Sequence, residues 1–552
     1  MQKTKIQALA RLLLRPVQSS LFVYLLLLNY VSNLGVCVFG FCDGFDIFAM
    51  AMMAALAAYV ETAIYKLLPK KWPRLFWLLL LVVVHNVLIV VDYFLIYHFH
   101  LALGQDVVDI LAETNPVEAE NFLDTYLSWG SLTLWLLALA CLNAVFVWLT
   151  PRAKRIRNVW KLFACCVLVG LVILCAGMYN YAVYRNGMRI PQYQTFTRVG
   201  YASYVMHQRM QKTNQVCKVC ERVEAMSALS EKPTVVVVIG ESFAASHSSL
   251  MAYDKPTNPL LQSRADTGSL HVMDNTVSIA CGTHGAMLSV FSLDSLGVGF
   301  ERLPLFPACF KAAGYRTVML DNQYFVGSGV NFLSDAALSS TLFDKRNDHR
   351  YKYDLEMVET IVPDTVPTLY VIHLWGQHYT YADRYPKDYA YFKATDYDSK
   401  RWTEAQRKVI AHYDNATRYN DAVVNEIIKR FEGINSCVVY FSDHGEEVYE
   451  LGNFMGHGSA EHSKDISYQL HVPLMVWTSP TYSRPEVPAR LDSLCHAPLM
   501  TDDVSHLLLD LAGIRTAAYR PARSVISGRY NADKPRIVLH AIDYDKRQGA
   551  HP

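Results

Sequence analysis

Val235-Val-Val-Val-Ile239-Gly240-Glu241-Ser242 is the stretch of sequence that decides the fold of this chain. A continuous run of β-branched residues is typical of a strand buried on both faces of a parallel sheet. Val438-Val-Tyr-Phe441-Ser442-Asp443-His444 repeats the pattern far downstream, again with an acidic residue where the strand should end. Because ligands bind outside the carboxyl ends of strands in open α/β sheets, we expect Glu241 and Asp443-His444 to lie at one edge of a sheet.

Short β-branched runs alternate with helical patterns over the rest of the distal region, which predicts an α/β domain with a mostly parallel central sheet. The predicted strands are Thr234–Ile239, Arg316–Leu320, Thr368–Ile372, Cys437–Phe441 and Pro473–Trp477. Thr403-Glu-Ala-Gln406 is a capping box and Gly433 stands where a C-terminal cap belongs, so a long helix should lie between them. Another helix should begin near Thr501 or Asp502.

The first third of the chain contains five apolar stretches, each long enough to cross a bilayer core, which takes roughly 20 residues. They run, to within a few residues, from Leu21 to Phe41, Ile47 to Leu68, Leu75 to Tyr97, Tyr126 to Leu149 and Val159 to Tyr184. The first run is too long for a cleavable signal peptide. We therefore predict a transmembrane domain of five helices at 1–185, a connecting segment with short helices at 186–232 and the α/β domain at 233–552.

The net charge of +1 gives no reason to expect a nucleic-acid partner, but the distribution of charge orients the predicted spans. Basic residues precede the first span and separate the second from the third and the fourth from the fifth, as at Arg11, Lys70 and Arg155. The alternate loops are acidic, as at Asp46 and Asp109. The positive-inside rule then places the N-terminus in the cytoplasm and everything after about residue 186 on the outer side.

Three ionisable side chains, Glu61, His85 and Asp92, fall within the predicted spans. A residue of this kind is either part of a functional site or pairs with a neighbouring helix, and the sequence leaves both interpretations open. The outer region lies in an oxidising compartment by this topology, so disulfides are reasonable there. For Cys217-Lys-Val-Cys220 we favour a local disulfide over half of a zinc knuckle.

Chemically active side chains follow four of the predicted strands: Glu241, Asp321, His373 and Asp443-His444. Each alone could be a surface carboxylate or a core histidine, but together they form a set of oxygen and imidazole ligands suited to Zn²⁺ or Mn²⁺. Thr283 adds a hydroxyl, which needs a neighbouring metal ion to act as a nucleophile because its ordinary pKa lies far above 7. A helix beginning near Thr283 would offer N–H groups to a phosphoryl oxygen.

These residues resemble motifs of the phosphoethanolamine transferases of the bacterial envelope, members of the alkaline phosphatase/sulfatase superfamily. The resemblance covers nearly the whole chain, including the five-span anchor. The matching segments are Gly240-Glu241-Ser242 with Ser249 to Pro259, Cys281-Gly282-Thr283, His373 to His378 with Arg384-Tyr-Pro386, Tyr413 to Asp421, Ser442 to Glu446 with Met455 to Gly458, and Glu113-Thr114-Asn115-Pro116.

The resemblance implies zinc-dependent transfer of phosphoethanolamine from phosphatidylethanolamine to an envelope glycolipid or glycan, such as lipid A or a core sugar. It also implies a multi-pass protein of the bacterial inner membrane whose catalytic domain lies in the periplasm. Glu241, Thr283, Asp443 and His444 would hold a zinc ion, and Thr283 would carry a covalent phosphoethanolamine intermediate. One zinc ion is expected, and the family leaves room for a second.

Further roles follow from the same resemblance. His378 and His457 would contact the phosphate, serve a second zinc ion or protonate the leaving group, whereas His373 could instead be structural. Glu113 and Asn115 belong to a segment that would approach the lipid headgroup.

The sequence departs from the lipid A-modifying members in two places, which leaves the acceptor open. The segment after Thr283 is shorter and lacks the second cysteine, and Gln323-Tyr-Phe-Val-Gly-Ser-Gly replaces a Lys- and Cys-bearing segment. A sulfatase activity is disfavoured because the Cys/Ser-x-Pro-x-Arg motif that forms formylglycine is missing around Cys281. Two alternatives remain: a phosphoglycerol transferase of the lipoteichoic-acid synthase type, and a catalytically inactive membrane scaffold on the same fold.

The charge pattern generates a test of topology. A reporter that is active only in the outer compartment should be active when fused after Asn186 and inactive when fused near Lys70, because an odd number of spans separates the first fusion from the cytoplasmic N-terminus. Reporter activity in intact cells measures both fusions. The opposite pattern would refute the predicted orientation.

Overall fold

A computed structural model describes residues 12–38, 44–99, 102–104, 107–108, 111, 122–123, 126, 129–156, 158–184, 194–294, 302–323, 335–458, 463–539 and 541–549. The chain forms two compact units, residues 1–208 and 209–552. The helices of the first unit and of its junction with the second are α1 (Ser20–Val38), α2 (Gly44–Leu67), α3 (Lys71–Phe99), α4 (Trp129–Arg155), α5 (Val159–Tyr184) and α6 (Thr195–Cys220).

Among the described residues, α2, α3, α4 and α5 are long and apolar enough to cross a membrane. Helix α1 coincides with the first predicted span, but its described apolar part, Ser20–Asn33, is shorter than the other four. The structure therefore supports four membrane spans by length and composition, and the fifth stays a prediction. Many large apolar side chains of these helices are exposed, such as Trp72 on α3 and Trp129 on α4.

The ionisable residues of the spans pair between helices. Glu61 on α2 accepts a hydrogen bond from Asn29 on α1 at 3.0 Å and lies 3.0 Å from Nε2 of His85 on α3. Asp92 on α3 forms a buried ion pair with Arg198 near the start of α6. The sequence left open whether these residues form a functional site or pair with a neighbouring helix. The structure shows pairing between helices for each of them.

The connector differs from the short helices expected at 186–232, because residues Thr195–Cys220 form one helix of 26 residues, and the division between the two units falls within it. The predicted disulfide between Cys217 and Cys220 was wrong: both are buried, free thiols on this helix. They pack into the apolar core of the second unit, where Sγ of Cys220 accepts the N–H of Leu305. Apolar packing therefore accounts for the spacing that suggested a disulfide.

A seven-stranded sheet forms the centre of the second unit. Its strands are β1 (Thr234–Gly240), β2 (Leu270–Met273), β3 (Arg316–Asp321), β4 (Lys345–Arg346), β5 (Thr368–His373), β6 (Ser436–Ser442) and β7 (Leu474–Thr478), in the spatial order β2-β7-β6-β1-β5-β3-β4. The strands from β6 to β4 are parallel, whereas β7 runs antiparallel to β6 and β2. The sheet is thus mixed, with a parallel centre and an antiparallel edge formed by two strands.

Alternate residues of β1 enter two apolar layers. Val235, Val237 and Ile239 face one layer, and Val236 and Val238 face the other. Helices cover both faces, with Phe306–Ala312 and Val504–Leu511 on one side and Glu404–Phe431 on the other. Burial on both faces explains why the strand reads as an unbroken apolar run.

The long helix begins where the capping box predicts. Thr403 accepts the N–H of Gln406 through its side chain, the Gln406 side chain accepts the N–H of Thr403, and the helix ends at Phe431, two residues before Gly433. The predicted helix near Thr501 is a short 3-10 turn followed by Val504–Leu511.

The remaining elements are smaller. Further helices span Pro259–Asp266, Thr283–Phe291, Ala336–Leu342, Asp354–Glu359, Ser467–Leu470, Glu486–Ser493 and Tyr544–Gly549. Two-residue strands pair Met226–Ser227 with Ile514–Arg515, Thr276–Val277 with Leu499–Met500, Glu447–Val448 with Met455–Gly456 and Ile537–Val538 with Ile542–Asp543.

Candidate active site and metal centre

The side chains that follow β1 and β6 meet at the carboxyl ends of these adjacent parallel strands. Gly240 is paired with Ser442, so Glu241 on one strand and Asp443-His444 on the other leave the sheet side by side. One ligand atom from each of Glu241, Asp443 and His444 can be chosen so that all three lie within 4.8 Å of one another. The predicted convergence of these residues is present in the structure.

Thr283 joins this cluster as the first residue of the helix Thr283–Phe291. Its Oγ1 donates a hydrogen bond to Oε2 of Glu241 at 3.2 Å and lies 3.5 Å from Nε2 of His444. Gly282 before it is extended and makes the turn into the helix. The hydroxyl is therefore buried among the ligand atoms at a helix N-terminus, as the sequence predicts.

The ligand atoms that face one another in the cluster suit a divalent cation. Nδ1 of His444 contacts the carbonyl of Gly445 at 2.8 Å, which leaves Nε2 as the ligand atom, 3.3 Å from both Glu241 Oε1 and Asp443 Oδ2. Asp443 Oδ1 accepts the N–H groups of Ser242 and His444, but no described residue donates a hydrogen bond to the buried Oδ2. An orphaned carboxylate oxygen beside a second carboxylate and an oriented imidazole is a donor set that fits zinc.

The electrostatics of the cluster agree with this fit. Burial and the neighbouring Glu241 raise the pKa of Asp443 to about 6. Burial would also raise the pKa of Glu241, but His444 outweighs this effect and holds the pKa of Glu241 well below the ordinary value. Burial would lower the pKa of His444, but the two carboxylates raise it well above the ordinary value. The site thus draws positive charge into a buried position, whether as a proton or as a metal ion.

A strained backbone and a tyrosine position Glu241. Ser242 adopts a left-handed conformation with φ of 57°, which is costly for a residue with a side chain. Its carbonyl accepts the hydroxyl of the buried Tyr413 at 2.5 Å, and the same hydroxyl accepts the N–H of Ala244 at 2.9 Å. These bonds hold the turn that carries Glu241 out of β1.

His373 lies beside the cluster in a buried network of polar side chains. It is fully buried, and its Nδ1 lies 3.0 Å from Oδ1 of Asp321, whose other oxygen accepts Arg346 at 2.9 Å. On the other side of the ring, the Gln323 amide nitrogen lies 3.2 Å from His373 Nε2 and 3.0 Å from Glu241 Oε2. Gln323 thus links His373 to Glu241, and the sequence motifs did not reveal this residue.

The two other predicted histidines, His378 and His457, each interact with a member of the cluster. His378, on the loop after β5, acts electrostatically on Glu241 and, with His444, opposes the effect of burial on its pKa. The ring of His457 lies 4.1 Å from the ring of His444 between centroids, and its Nδ1 contacts Glu446 Oε2 at 2.6 Å. Their roles toward a group bound at Thr283 stay predictions. The other two predicted site residues, Glu113 and Asn115, lie outside the described residues.

The loop that carries His378 packs directly on the backbone of Glu241. Gly376 has a φ of +49°, and a Cβ at this position would lie 2.9 Å from both the N and the O of Glu241. Asp354, fully buried, accepts the N–H groups of Trp375 at 2.9 Å and Gly376 at 3.1 Å. Only glycine permits this approach of loop and strand end.

The Sulfatase family model matches residues 233–514, more than half of the chain. This protein belongs to the sulfatase family. Within that family, the phosphoethanolamine transferase EptC of Escherichia coli (strain K12) is 27% identical over 498 residues, which cover 82% of this chain and 83% of that protein. The resemblance to phosphoethanolamine transferases that the motifs predict is thereby confirmed.

Solved structures extend the comparison. The C-terminal periplasmic domain of Escherichia coli EptC in complex with Zn is 27% identical, with a TM-score of 0.52 over 58% of this chain and 96% of that domain. The integral membrane lipooligosaccharide phosphoethanolamine transferase A (EptA) of Neisseria meningitidis has a similar fold over 92% of this chain and 98% of its own, with a TM-score of 0.63 at 18% identity. The sulfatase-like unit and the helical membrane unit thus occur together in a known protein.

The close approach at Gly376 generates a prediction for stability. Gly376→Ala should lower the melting temperature of the full chain, because a left-handed alanine costs about 1–2 kcal/mol and its Cβ would collide with the Glu241 backbone. Thermal unfolding in detergent measures the change. Gly433→Ala is the matched control, since among the described residues no atom lies within 4 Å of its Cβ. Equal melting temperatures for the two variants would contradict the constraint.

Proposed function

We propose that this protein is a zinc-dependent phosphoethanolamine transferase of a bacterial inner membrane. It takes phosphoethanolamine from phosphatidylethanolamine and transfers it to an envelope glycolipid or glycan, such as lipid A or a core sugar. The observation that carries the proposal is the buried Thr283 hydroxyl, 3.2 Å from Glu241 within a carboxylate and imidazole cluster. A scaffold without activity would have no need to bury a hydroxyl among metal ligands.

The choice of group and of metal is supported by the relatives. The matched Escherichia coli protein is named a phosphoethanolamine transferase, and the solved domain of that protein contains Zn. Glu241, Asp443, His444 and Thr283 would hold one zinc ion here. When bound, zinc would lower the pKa of the Thr283 hydroxyl and stabilise charge on the phosphoryl group.

The transfer would proceed in two displacements through Thr283. In the first, Thr283 Oγ1 bonds to phosphorus and the phosphorus–oxygen bond to diacylglycerol breaks. In the second, an acceptor hydroxyl or phosphate oxygen attacks the same phosphorus and releases Thr283. N–H groups at the start of the helix Thr283–Phe291 would face the phosphoryl oxygens, and His378 and His457 would contact the same group from the two sides.

The membrane unit fits this use of a lipid donor. We propose five spans, 1–185, which leave residues 233–552 in the periplasm as the catalytic domain, with 186–232 as the connector. Glu113 and Asn115 would then approach the lipid headgroup from the outer loop between the third and fourth spans. A membrane anchor keeps the enzyme in the layer that contains its donor.

Metal removal tests the ligand set. Alanine at Glu241, Asp443 or His444 should abolish tight zinc binding, because each removal leaves an open site with poorly matched charge. Zinc content of the purified full chain, measured by mass spectrometry, reports this directly. Asp492→Ala is the matched control, since it removes a carboxylate that contacts His271 away from the cluster. Full zinc content in Asp443→Ala would refute the assignment.

The nucleophile is tested by trapping the intermediate. Incubation of the wild type with phosphatidylethanolamine and no acceptor should release diacylglycerol and add one phosphoethanolamine mass to the peptide that contains Thr283. Thr283→Ala should lose transfer, Thr283→Ser should keep a fraction, and Ser289→Ala, a hydroxyl on the same helix, should keep full activity. Undiminished transfer in Thr283→Ala would end the covalent mechanism, and an adduct from phosphatidylglycerol instead would identify a phosphoglycerol transferase.

A further inference from the structure

Tyr381, Glu446 and His457 form a hydrogen-bonded chain beside the metal cluster. Glu446 is 1% exposed, and its Oε1 accepts the hydroxyl of Tyr381 at 2.5 Å. Its Oε2 lies 2.6 Å from Nδ1 of His457. Burial and the neighbouring carboxylate raise the pKa of Tyr381 well above its ordinary value, so the hydroxyl keeps its proton and is the donor.

The chain determines which edge of the His457 ring is available. Nδ1 contacts a buried carboxylate, yet 32% of the His457 side chain is exposed. The exposed edge is therefore the opposite one, which contains Nε2. The ring centroid lies 4.1 Å from that of His444, whose Nε2 lies 3.5 Å from Thr283 Oγ1, so the His457 ring is a near neighbour of the nucleophile.

We propose that Glu446 is a positioning residue: held by Tyr381, it fixes the ring of His457 so that Nε2 faces the phosphoryl group transferred through Thr283. The inference rests on the proposed function. A carboxylate that accepts Nδ1–H determines both the tautomer and the orientation of a histidine, as it does for histidines around metal sites. Without it, a ring that is one-third exposed would be free to adopt other rotamers.

Glu446 has a competing use as a metal ligand, because His444, Glu446 and His457 also lie within the distance that a second cation would require. The hydrogen bonds that its two oxygens already accept favour the role of a positioning residue over that of a metal ligand. Both oxygens of Glu446 already accept short hydrogen bonds, from Tyr381 and His457, whereas Asp443 offers an oxygen with no hydrogen bond from any described residue. A second cation would have to displace one of these two bonds.

A double-mutant cycle on the full chain tests the proposal. Glu446→Gln should lower kcat for transfer from phosphatidylethanolamine vesicles about 10–100-fold, as loss of an orienting partner does elsewhere, with zinc content unchanged. Tyr381→Phe should cause a smaller loss, because it removes only the hydroxyl that holds the carboxylate. In a His457→Ala background, Glu446→Gln should have no further effect, since Glu446 acts through that ring alone.

The control is Glu447→Gln. Glu447 is the next residue along the chain, is also buried, and has a pKa raised to about 7 by burial and by Glu450, so glutamine resembles its protonated form. This variant should keep full activity. Additive losses in the cycle, or loss of zinc in Glu446→Gln, would overturn the proposal in favour of a general structural role or a second metal site.

Crystal structures of the wild type and of Glu446→Gln provide a readout that needs no substrate. The His457 ring should be ordered against Glu446 in the wild type and rotated or disordered in the variant. An unchanged ring in the variant would overturn the inference even if the wild type fails to transfer phosphoethanolamine. Such a failure would count against the proposed function. If instead the wild type is active but the losses from Glu446→Gln and His457→Ala add, only the positioning role of Glu446 would be refuted.

Discussion

Two carboxylates buried against each other at the ends of adjacent strands are the constraint on which the second unit depends. Glu241 and Asp443 lie in a site from which water is excluded, and like charges at such a position cannot both remain ionised without compensation. His444 supplies part of it, as the opposite shifts in the pKa values of Glu241 and Asp443 indicate. The remainder favours a cation at Asp443 Oδ2, to which no described residue donates a hydrogen bond. Without positive charge at this position, whether from a proton or from a metal ion, the arrangement would be unfavourable.

The surrounding structure keeps the carboxylates in place at a further cost in conformational free energy. Ser242 is held in a left-handed conformation and Gly376 allows a loop to contact the Glu241 backbone, where any side chain would collide. Hydrogen bonds from Tyr413 and to Asp354 offset these costs. Strain of this kind persists only where neighbouring packing determines the conformation, and the two apolar layers around β1 provide that packing. The rigid sheet thus sets the geometry of the cluster before any ligand binds.

Much of this arrangement could be predicted from the sequence, because burial on both faces leaves a clear pattern. The unbroken apolar runs at β1 and β6 predict the strands to within a residue, and the acidic residues after them predict that Glu241, Asp443 and His444 converge. Three features could not be predicted from the sequence. The antiparallel partner β7 is apolar in the same way as a parallel strand, so its direction left no signal. Cys217 and Cys220 have the spacing of a disulfide but serve as small apolar residues on a helix. Gln323 contacts Glu241 only through the tertiary fold, and a single amide has no pattern by which it could be recognised.

The histidines in and around the cluster differ in the group that contacts their Nδ1 atom, and this difference bears on their roles. His373 is backed by Asp321 and is fully buried, and the Gln323 amide contacts its other nitrogen. His457 is backed by Glu446 but keeps one edge exposed, so it can act on a bound group. His444 is backed by a neutral backbone carbonyl, while two carboxylates face its other nitrogen. A negative partner behind a histidine makes its far nitrogen a stronger base, whereas a carbonyl fixes the tautomer with less charge. Under the proposed function, His444 would bind the metal ion and His457 would contact the transferred group.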